Sequence, residues 1–232
     1  MKESSASQHS YWQDHFRRQH PKKNGAGIAK SMDYSNDRLQ VQTYAHILEA
    51  LGSLRGRTLL DAGCGWGLFS LMAYSLGASP VGVDFVPETI EALRDLHPMI
   101  RWEVSDLAGA GQLDSLGVFD RVAAVEILQC MHFQSSLAAL WSRVAPGGRL
   151  VGCVPNSLCP FAPGVRQRLP EWIPISPEEI STAAHGLPGC SEVIFKGLTY
   201  LEDQHFLPYV ASAWGPSISG TPNRIVFTLL RA

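Results

Sequence analysis

The sequence predicts an α/β fold in which a mostly parallel β-sheet carries helices on both faces. Short apolar strands alternate with helical segments from residue 58 to residue 154, and this alternation is typical of parallel sheets. A glycine-rich turn follows the first strand, and an acidic residue stands at or just beyond the end of each of the first four strands. The chain has 232 residues, 45% of them hydrophobic, which suits one such domain with appended segments.

Two helices are expected before the sheet. The first spans residues 10–19, where Ser10 is a candidate N-cap and the aromatic side chains fall on one face. Prolines and glycines at 21–27 break it. The second covers about 37–51, with apolar residues at helical spacing, and Gly52 ends it.

The sheet region is then read as alternating elements. Strands are expected at 58–62, 81–85, 100–104, 121–127 and 149–154, and helices at 67–76, from Pro87 onward and at 133–144. A Pro-Gly-Gly turn is expected to separate the last of these helices from the fifth strand.

The pattern loosens after residue 154. Residues 155–176 contain five prolines, which argues against a strand or a regular helix. Ser176 begins a capping-box pattern that predicts a helix. Strands are expected at 192–200 and 224–231, with an aromatic-rich short helix between them at 205–214.

The turn after the first strand carries three alternating glycines, Gly63, Gly65 and Gly67, two residues after Asp61. Glycine lets the backbone turn sharply and lets a ligand approach the main chain. The N–H groups of the loop and of the next helix suit a ligand with a carboxylate or phosphate. The dinucleotide fingerprint requires a third glycine at the position of Leu68, so the spacing does not favour a nicotinamide oxidoreductase.

This D-x-G-x-G-x-G stretch resembles motif I of class I S-adenosylmethionine-dependent methyltransferases. The resemblance implies a Rossmann-like fold with a mostly parallel seven-stranded sheet whose last strand is antiparallel. It also implies S-adenosyl-L-methionine as cofactor, with the glycine loop beside its methionine part and Asp61 near its ammonium. Cys64, within the loop, is expected to be small apolar filler beside the cofactor.

The acids at the other strand ends extend the proposed cofactor site. Asp84 lies 23 residues after Asp61, where a carboxylate can accept both ribose hydroxyls, and Phe85 beside it is a candidate for packing on the adenine face. The resemblance assigns Asp106 to the adenine amino group and the backbone N–H of Leu107 to the same ring. Plain capping, turn or core roles for these residues stay open.

Glu126 begins the stretch E-I-L-Q-C-M-H, which resembles the cofactor-lining motif of ubiquinone-biosynthesis-type small-molecule methyltransferases. That family often has E-V-x-x-H here, whereas this chain has Gln129 and Cys130 in the region of the acid and histidine, and His132 comes later. His132 is the candidate catalytic base, with a surface or capping role as the alternative.

The expected domain organisation is a helical lid at 1–36 and a methyltransferase domain at 37–232, with lid insertions at about 155–176 and 201–223. These segments usually build the acceptor pocket in the family. Its expected wall consists of Tyr11, Trp12, His15, Tyr34, Trp172, His205, Phe206 and Trp214, although each aromatic could also simply pack on the sheet.

The composition argues against several classes of function. A net charge of -2 gives no electrostatic case for nucleic acid, and the five cysteines show no C-x-x-C pair, which favours a reduced cytoplasmic protein without a metal site. We find no apolar run long enough for a membrane span and no signal peptide. The expected protein is a monomer or homodimer that methylates a small molecule, preferably on a hydroxyl oxygen. Amine methylation, an RNA or protein acceptor, and a non-catalytic binding protein are the alternatives.

Overall fold

The computed structural model describes residues 10–11, 13–14, 37–107, 113–159, 162, 172–201, 209–215 and 222–232. Its helices are α1 (Asp37–Leu51), α2 (Leu68–Ser75), α3 (Pro87–Leu96), α4 (Phe133–Trp141) and α5 (Pro177–His185). Its strands are β1 (Thr58–Ala62), β2 (Ser79–Asp84), β3 (Arg101–Val104), β4 (Phe119–Val125), β5 (Val144–Pro155), β6 (Cys190–Leu201), β7 (Tyr209–Gly215) and β8 (Arg224–Arg231). Ser10, Tyr11, Gln13 and Asp14 are helical, in agreement with the first expected helix.

The strands form one mixed sheet in the order β3-β2-β1-β4-β5-β8-β6-β7. Strands β1 to β5 pair in parallel, and the closing strand β8 runs antiparallel to both β5 and β6. The predicted fold class is therefore confirmed. The sheet also has an eighth strand, β7, which pairs with β6 in antiparallel fashion.

Two local predictions were wrong. The stretch expected to hold a short helix contains strand β7 instead, because it pairs along its whole length with β6, from Tyr209 opposite Leu201 to Gly215 opposite Phe195. Strand β5 begins at Val144 rather than after the Pro-Gly-Gly turn. The register against β4 shifts between Phe119 and Arg121, so the glycines occupy an irregularity within the strand.

The sheet is covered on both faces because neighbouring residues of each strand point to opposite sides. On one side Leu60 packs in a core with Trp141 and Phe227. On the other, Leu59 packs with residues of α1 and α2 such as Ile47 and Phe69. The helices thus occupy the two faces and leave the carboxyl ends of the parallel strands to form a crevice, where open α/β sheets bind ligands.

Local signals placed several helices correctly. Helix α1 begins and ends at the predicted residues, and Gly52 after it has a left-handed φ of 71°. At the start of α5 the predicted capping box is present. The Glu179 N–H donates to Ser176 Oγ (3.1 Å) and the Ser176 N–H donates to Glu179 Oε2 (2.8 Å).

Among the described residues, no helix has both the length and the apolar character needed to span a lipid bilayer.

Candidate functional site

Three of the predicted acids lie side by side because β2, β1 and β4 are neighbours in the sheet. Asp61 lies within β1 near its carboxyl end, Asp84 ends β2, and Glu126 directly follows β4. All three side chains are buried. A buried carboxylate is costly unless it is hydrogen-bonded, so the partners of each acid indicate what it does.

The glycine loop is fixed to the end of β2 by its own backbone. The N–H groups of Gly63 and Cys64 both donate to the carbonyl of Val83, at 2.8 and 2.9 Å. The Gly65 N–H instead donates to Asp84 Oδ2 at 3.0 Å. Gly63, Gly65 and Gly67 have positive φ angles of 74°, 50° and 76°, a conformation that favours glycine at each position.

Packing within the protein also requires two of these glycines. A Cβ on Gly63 would lie 2.8 Å from Cγ1 of Ile127, and one on Gly67 would lie 2.6 Å from the ring of Trp102. Residues of the chain therefore already occupy the space beside these two backbones. Gly65 differs from these two glycines because its N–H donates a hydrogen bond to the Asp84 carboxylate.

Asp84 is held by main-chain donors on both carboxylate oxygens. Oδ2 accepts from Gly65 and Oδ1 accepts from the Val86 N–H at 3.1 Å. Burial raises the pKa of Asp84 to about 6, while the backbone hydrogen bonds act in the opposite direction. The carboxylate is thus rigidly placed, and an added donor or cation would stabilise its charge.

Asp61 is held by a residue that sequence reasoning missed. Ser70, in the first turn of α2, donates its hydroxyl to Asp61 Oδ2 at 2.6 Å. Burial raises the pKa of Asp61 to about 7, and the neighbouring Asp84 charge adds to the rise. Nothing in the local sequence distinguishes Ser70 from an ordinary helix serine, because its contact depends on how α2 returns over β1.

Glu126 lies in a different environment from the other two acids. Its Oε1 forms an ion pair with Nε of Arg224 and accepts from Cys153 Sγ at 3.6 Å, and its Oε2 accepts from Gln129 Nε2 at 3.0 Å. Burial raises the pKa of Glu126, and the charge of Arg224 opposes this rise. Sequence reasoning missed Arg224, which lies 98 residues away and belongs to the last strand.

The residues proposed for the adenine end lie at the ends of β2 and β3. Phe85 is half-buried and packs with Trp66, Val86 and Ala92. The Ser105 N–H donates to the carbonyl of Asp84 at 3.0 Å, which joins the two strand ends. Asp106 is half-buried, while the side chain of Leu107 is part of the main core.

Cys64 is buried within the glycine loop, and burial raises the pKa of its thiol well above the usual range. Its side chain is therefore uncharged at neutral pH, and its place beside the cofactor stays a prediction.

His132, the candidate base, is exposed at the N-terminus of α4, where its Nδ1 lies 3.0 Å from Oγ of Ser135. His132 thus occupies the N-cap position of α4, although its side chain makes no hydrogen bond to a backbone N–H of the helix. Among the proposed acceptor residues, Tyr11 is exposed and Trp172 is half-buried beneath the guanidinium of Arg224. The others lie outside the described residues or, for Trp214, have no described side chain: Trp12, His15, Tyr34, His205, Phe206 and Trp214.

Within the described ranges, no group of three or more His, Cys, Asp and Glu side chains is arranged to hold a metal ion.

Known proteins match both the sequence and the fold. Residues 59–148 match the family model described as a methyltransferase domain. The predicted resemblance to class I S-adenosylmethionine-dependent methyltransferases is thereby confirmed, and the match covers the glycine loop together with all four acids.

The related sequences match over part of their length. The ribosomal protein L11 methyltransferase of Paraburkholderia xenovorans is 34% identical over 122 residues, which are 52% of this chain and 39% of that protein. The protein of the same name from Burkholderia multivorans is 35% identical over 96 residues, 41% of this chain and 31% of that protein. The chain thus spans about two-fifths or less of the length of these relatives.

Solved structures of methyltransferases align with most of this chain. An S-adenosylmethionine-dependent methyltransferase from Archaeoglobus fulgidus aligns with a TM-score of 0.66 at 18% identity, over 85% of this chain and 96% of that one. The N-methyltransferase NodS of Bradyrhizobium japonicum, in complex with S-adenosylhomocysteine, aligns with 0.65 at 12% identity, over 95% and 98%. Magnesium protoporphyrin IX methyltransferase of Synechocystis, with bound S-adenosylmethionine, aligns with 0.65 at 16% identity, over 100% and 98%. At these identities the likeness establishes the fold alone.

Proposed function

We propose that this protein transfers a methyl group from S-adenosylmethionine to a small-molecule acceptor, with a hydroxyl oxygen as the leading acceptor atom. One observation carries the proposal. The buried Asp84 carboxylate is fixed by the Gly65 and Val86 N–H groups at the glycine loop of a methyltransferase domain.

The described residues fit the polar groups of this cofactor. S-adenosylmethionine carries a positively charged ammonium and sulfonium and two ribose hydroxyls, so it needs acceptors and negative charge. Buried carboxylates whose pKa values are raised gain stability when a cation or a donor arrives. We assign Asp61 to the ammonium and Asp84 to the ribose hydroxyls. The loop Gly63–Gly67 would line the methionine part, and Phe85, Asp106 and Leu107 would line the adenine.

S-adenosylmethionine supplies an already activated methyl group, so the protein has chiefly to orient the acceptor in line and to exclude water. A base assists if the acceptor is a hydroxyl of high pKa. His132 is our candidate: with its Nδ1 bonded to Ser135 Oγ, its Nε2 is the ring nitrogen that would take the proton of the acceptor.

The turn after β4 supports an acceptor that brings an O–H or N–H group. Gln129 is fully buried and uses Nε2 on Glu126, whereas its Oε1 has no hydrogen-bond partner among the described residues. A buried acceptor atom without a donor is costly, and a bound hydroxyl or amine would satisfy it. Both oxygen and nitrogen acceptors meet this requirement.

A protein acceptor is the second candidate, because the related sequences are named ribosomal protein L11 methyltransferases. Their similarity is limited to about half of this chain or less. We rank the protein acceptor second because the match covers only 39% and 31% of those two proteins, so it does not extend to most of their length.

Calorimetry with S-adenosylmethionine tests the cofactor assignment. Asp84→Ala should weaken binding by ~2 kcal/mol or more, which is about thirtyfold in Kd, because charge-assisted hydrogen bonds are lost. Asp95→Ala, which removes an exposed carboxyl of α3, should bind like the wild type. Absence of binding to the wild-type protein would contradict the proposed function, and unchanged affinity in Asp84→Ala would remove its ribose role.

Methyl-labelled S-adenosylmethionine tests the acceptor. We expect labelled product from a panel of hydroxylated aromatics, sugars and amines, and none from purified ribosomal protein L11. Labelling of L11 alone would replace the small-molecule proposal with the protein one.

A further inference from the structure

Glu126 adopts a backbone conformation that needs support from its surroundings. Its φ is 54°, and it is the one non-glycine residue with positive φ in the described ranges. Such a conformation is strained for a residue with a side chain, and it persists where neighbouring contacts fix it. Strained residues of this kind concentrate at functional sites.

The contacts of Glu126 come from three directions. Arg224 pairs with Oε1 from β8, Cys153 approaches the same oxygen from β5, and Gln129 bonds Oε2 from the turn after β4. The Glu126 side chain is 1% exposed and that of Arg224 is 19% exposed. Without Arg224, Glu126 would be a buried charge lacking its counter-ion, which strongly favours rearrangement.

Arg224 also contacts a second segment, which begins at Trp172. Its guanidinium lies 5.7 Å from the ring centre of Trp172, a distance at which a cation and an aromatic face attract. The next residue, Ile173, donates its N–H to the carbonyl of Gln129 at 3.0 Å. The segment Trp172–Ile175 is therefore joined to the turn Glu126–Cys130 directly by the Ile173 hydrogen bond and indirectly through Arg224.

That turn also contacts the glycine loop. The side chain of Ile127 fills the space beside Gly63, with Cγ1 2.8 Å from where a Cβ would lie. A displacement of Glu126 would therefore move Ile127 at the edge of the proposed cofactor site. The turn therefore contacts both the segment Trp172–Ile175 and the glycine loop, so a shift of that segment would be felt beside the loop.

We propose that Arg224 is a positioning residue for the acceptor. Through Glu126 and Trp172 it holds the turn Glu126–Cys130 and the segment Trp172–Ile175 together beside the glycine loop. The inference rests on the proposed methyl transfer, because in-line displacement depends on the placement of the acceptor relative to the methyl group. Arg224 itself touches neither reacting group in this scheme.

The chain offers a matched control on the same strand. Arg231, at the other end of β8, also lies 5.7 Å from the ring centre of a tryptophan, Trp141. It donates to the carbonyls of Trp141 and Val144, far along the strand from Glu126. Arg231→Met therefore removes the same kind of contact without altering the proposed positioning.

The first measurement needs no acceptor. Protein labelled with 5-fluorotryptophan is compared by fluorine NMR, and the Trp172 signal is assigned with Trp172→Phe. We expect Arg224→Met to shift the Trp172 signal and Arg231→Met to leave it in place. If Arg224→Met folds poorly, we use the double variant Glu126→Gln with Arg224→Met, which removes both charges of the ion pair and leaves no buried charge unpaired. An unmoved Trp172 signal would overturn the inference.

The second measurement separates positioning from stability. Arg224→Met should lower turnover of the acceptor found in the labelled screen about tenfold or more, through a higher KM for that acceptor. Its Kd for S-adenosylmethionine should rise by a smaller factor than its KM for the acceptor, and Arg231→Met should match the wild type in both. Equal turnover in the two variants would overturn the inference. A wild-type protein that fails to bind S-adenosylmethionine would contradict the proposed function instead, while the Trp172 signal would still test the anchoring.

Discussion

Replacing Asp61 by asparagine should stabilise the protein without cofactor and weaken its binding of S-adenosylmethionine. Asp61 is 2% exposed, and burial raises the pKa of its carboxyl from 3.8 to about 7. The charged form is therefore disfavoured in the folded state at neutral pH. Asparagine has nearly the same shape, carries no charge and can still accept the hydrogen bond from Ser70.

The magnitude follows from the proton balance between the folded and unfolded chains. Between pH 3.8 and about 7 the folded protein holds a proton on Asp61 that the unfolded chain releases. The free energy of unfolding therefore falls as the pH rises through this window, by ~1.4 kcal/mol per pH unit and by ~4 kcal/mol in all. An amide N–H left without an acceptor in Asp61→Asn would offset ~1–3 kcal/mol of the gain. The net expectation is a variant more stable by ~1–3 kcal/mol at about pH 8, with the advantage lost as the pH falls toward about 4.

Urea unfolding at a series of pH values measures the stability term, and calorimetry measures cofactor binding. The Kd for S-adenosylmethionine should rise by roughly tenfold or more, because a hydrogen bond between a charged carboxylate and an ammonium is lost. Asp120→Asn is the opposing control. The backbone N–H of Thr58 lowers the pKa of Asp120, so this carboxyl stabilises the fold above its unfolded pKa and the stabilisation is lost as the pH falls.

Asp120→Asn should therefore be less stable than the wild type at neutral pH, the reverse of Asp61→Asn. The reasoning is refuted if Asp61→Asn is no more stable than the wild type at about pH 8, or if its difference from the wild type does not change with pH. Unchanged affinity for S-adenosylmethionine would separately remove Asp61 from the cofactor site.

Three further predictions concern the loop, the N-terminal segment and the base. Gly65→Val should abolish S-adenosylmethionine binding in calorimetry, while circular dichroism should show that the protein still folds. The valine side chain would block the approach of the cofactor to the main chain at a residue whose φ is 50°. Normal binding would contradict this. Deletion of residues 1–30 should leave the Kd for S-adenosylmethionine unchanged and reduce turnover, if this segment closes over the acceptor; full turnover in the truncated protein would show that it is only a tail. His132→Ala should lower turnover about a hundredfold at neutral pH if this residue is the base, and turnover close to that of the wild type would leave it as a helix cap.

The elements that the sequence placed well are those with strong local signals. Helix α1 has an apolar face at helical spacing and a glycine directly after it. Helix α5 has a complete capping box. Both signals act within a few residues, so the local sequence contains the information that fixes their ends.

The elements that the sequence misplaced depend on partners far along the chain. Strand β7 has the sequence YVASAWG, with no charged residue, and its pairing with β6 determines its conformation. The start of β5 lies before the Pro-Gly-Gly stretch because Val144 pairs opposite Phe119 of β4. The Pro-Gly-Gly stretch resembles a turn, and the local sequence does not show that β5 begins before it and continues through it.

The same distinction applies to the candidate site. The alternation of glycines and the positions of the acids were readable because they occupy fixed places relative to the strands. The partners of those acids were not readable. Ser70 reaches Asp61 through the packing of a helix, and Arg224 reaches Glu126 through the pairing of β8 with β5.

These partners give the three buried acids different electrostatic environments. Asp61 and Asp84 are held by a hydroxyl and by backbone N–H groups, and their pKa values of about 7 and about 6 leave their charge incompletely compensated. Glu126 already has a counter-ion within the chain. A cationic cofactor gains most beside carboxylates that lack a counter-ion, and this supports our proposal that Asp61 and Asp84 bind it. The cofactor-binding role of Glu126 stays a prediction, and its ion pair with Arg224 distinguishes it from the other two acids.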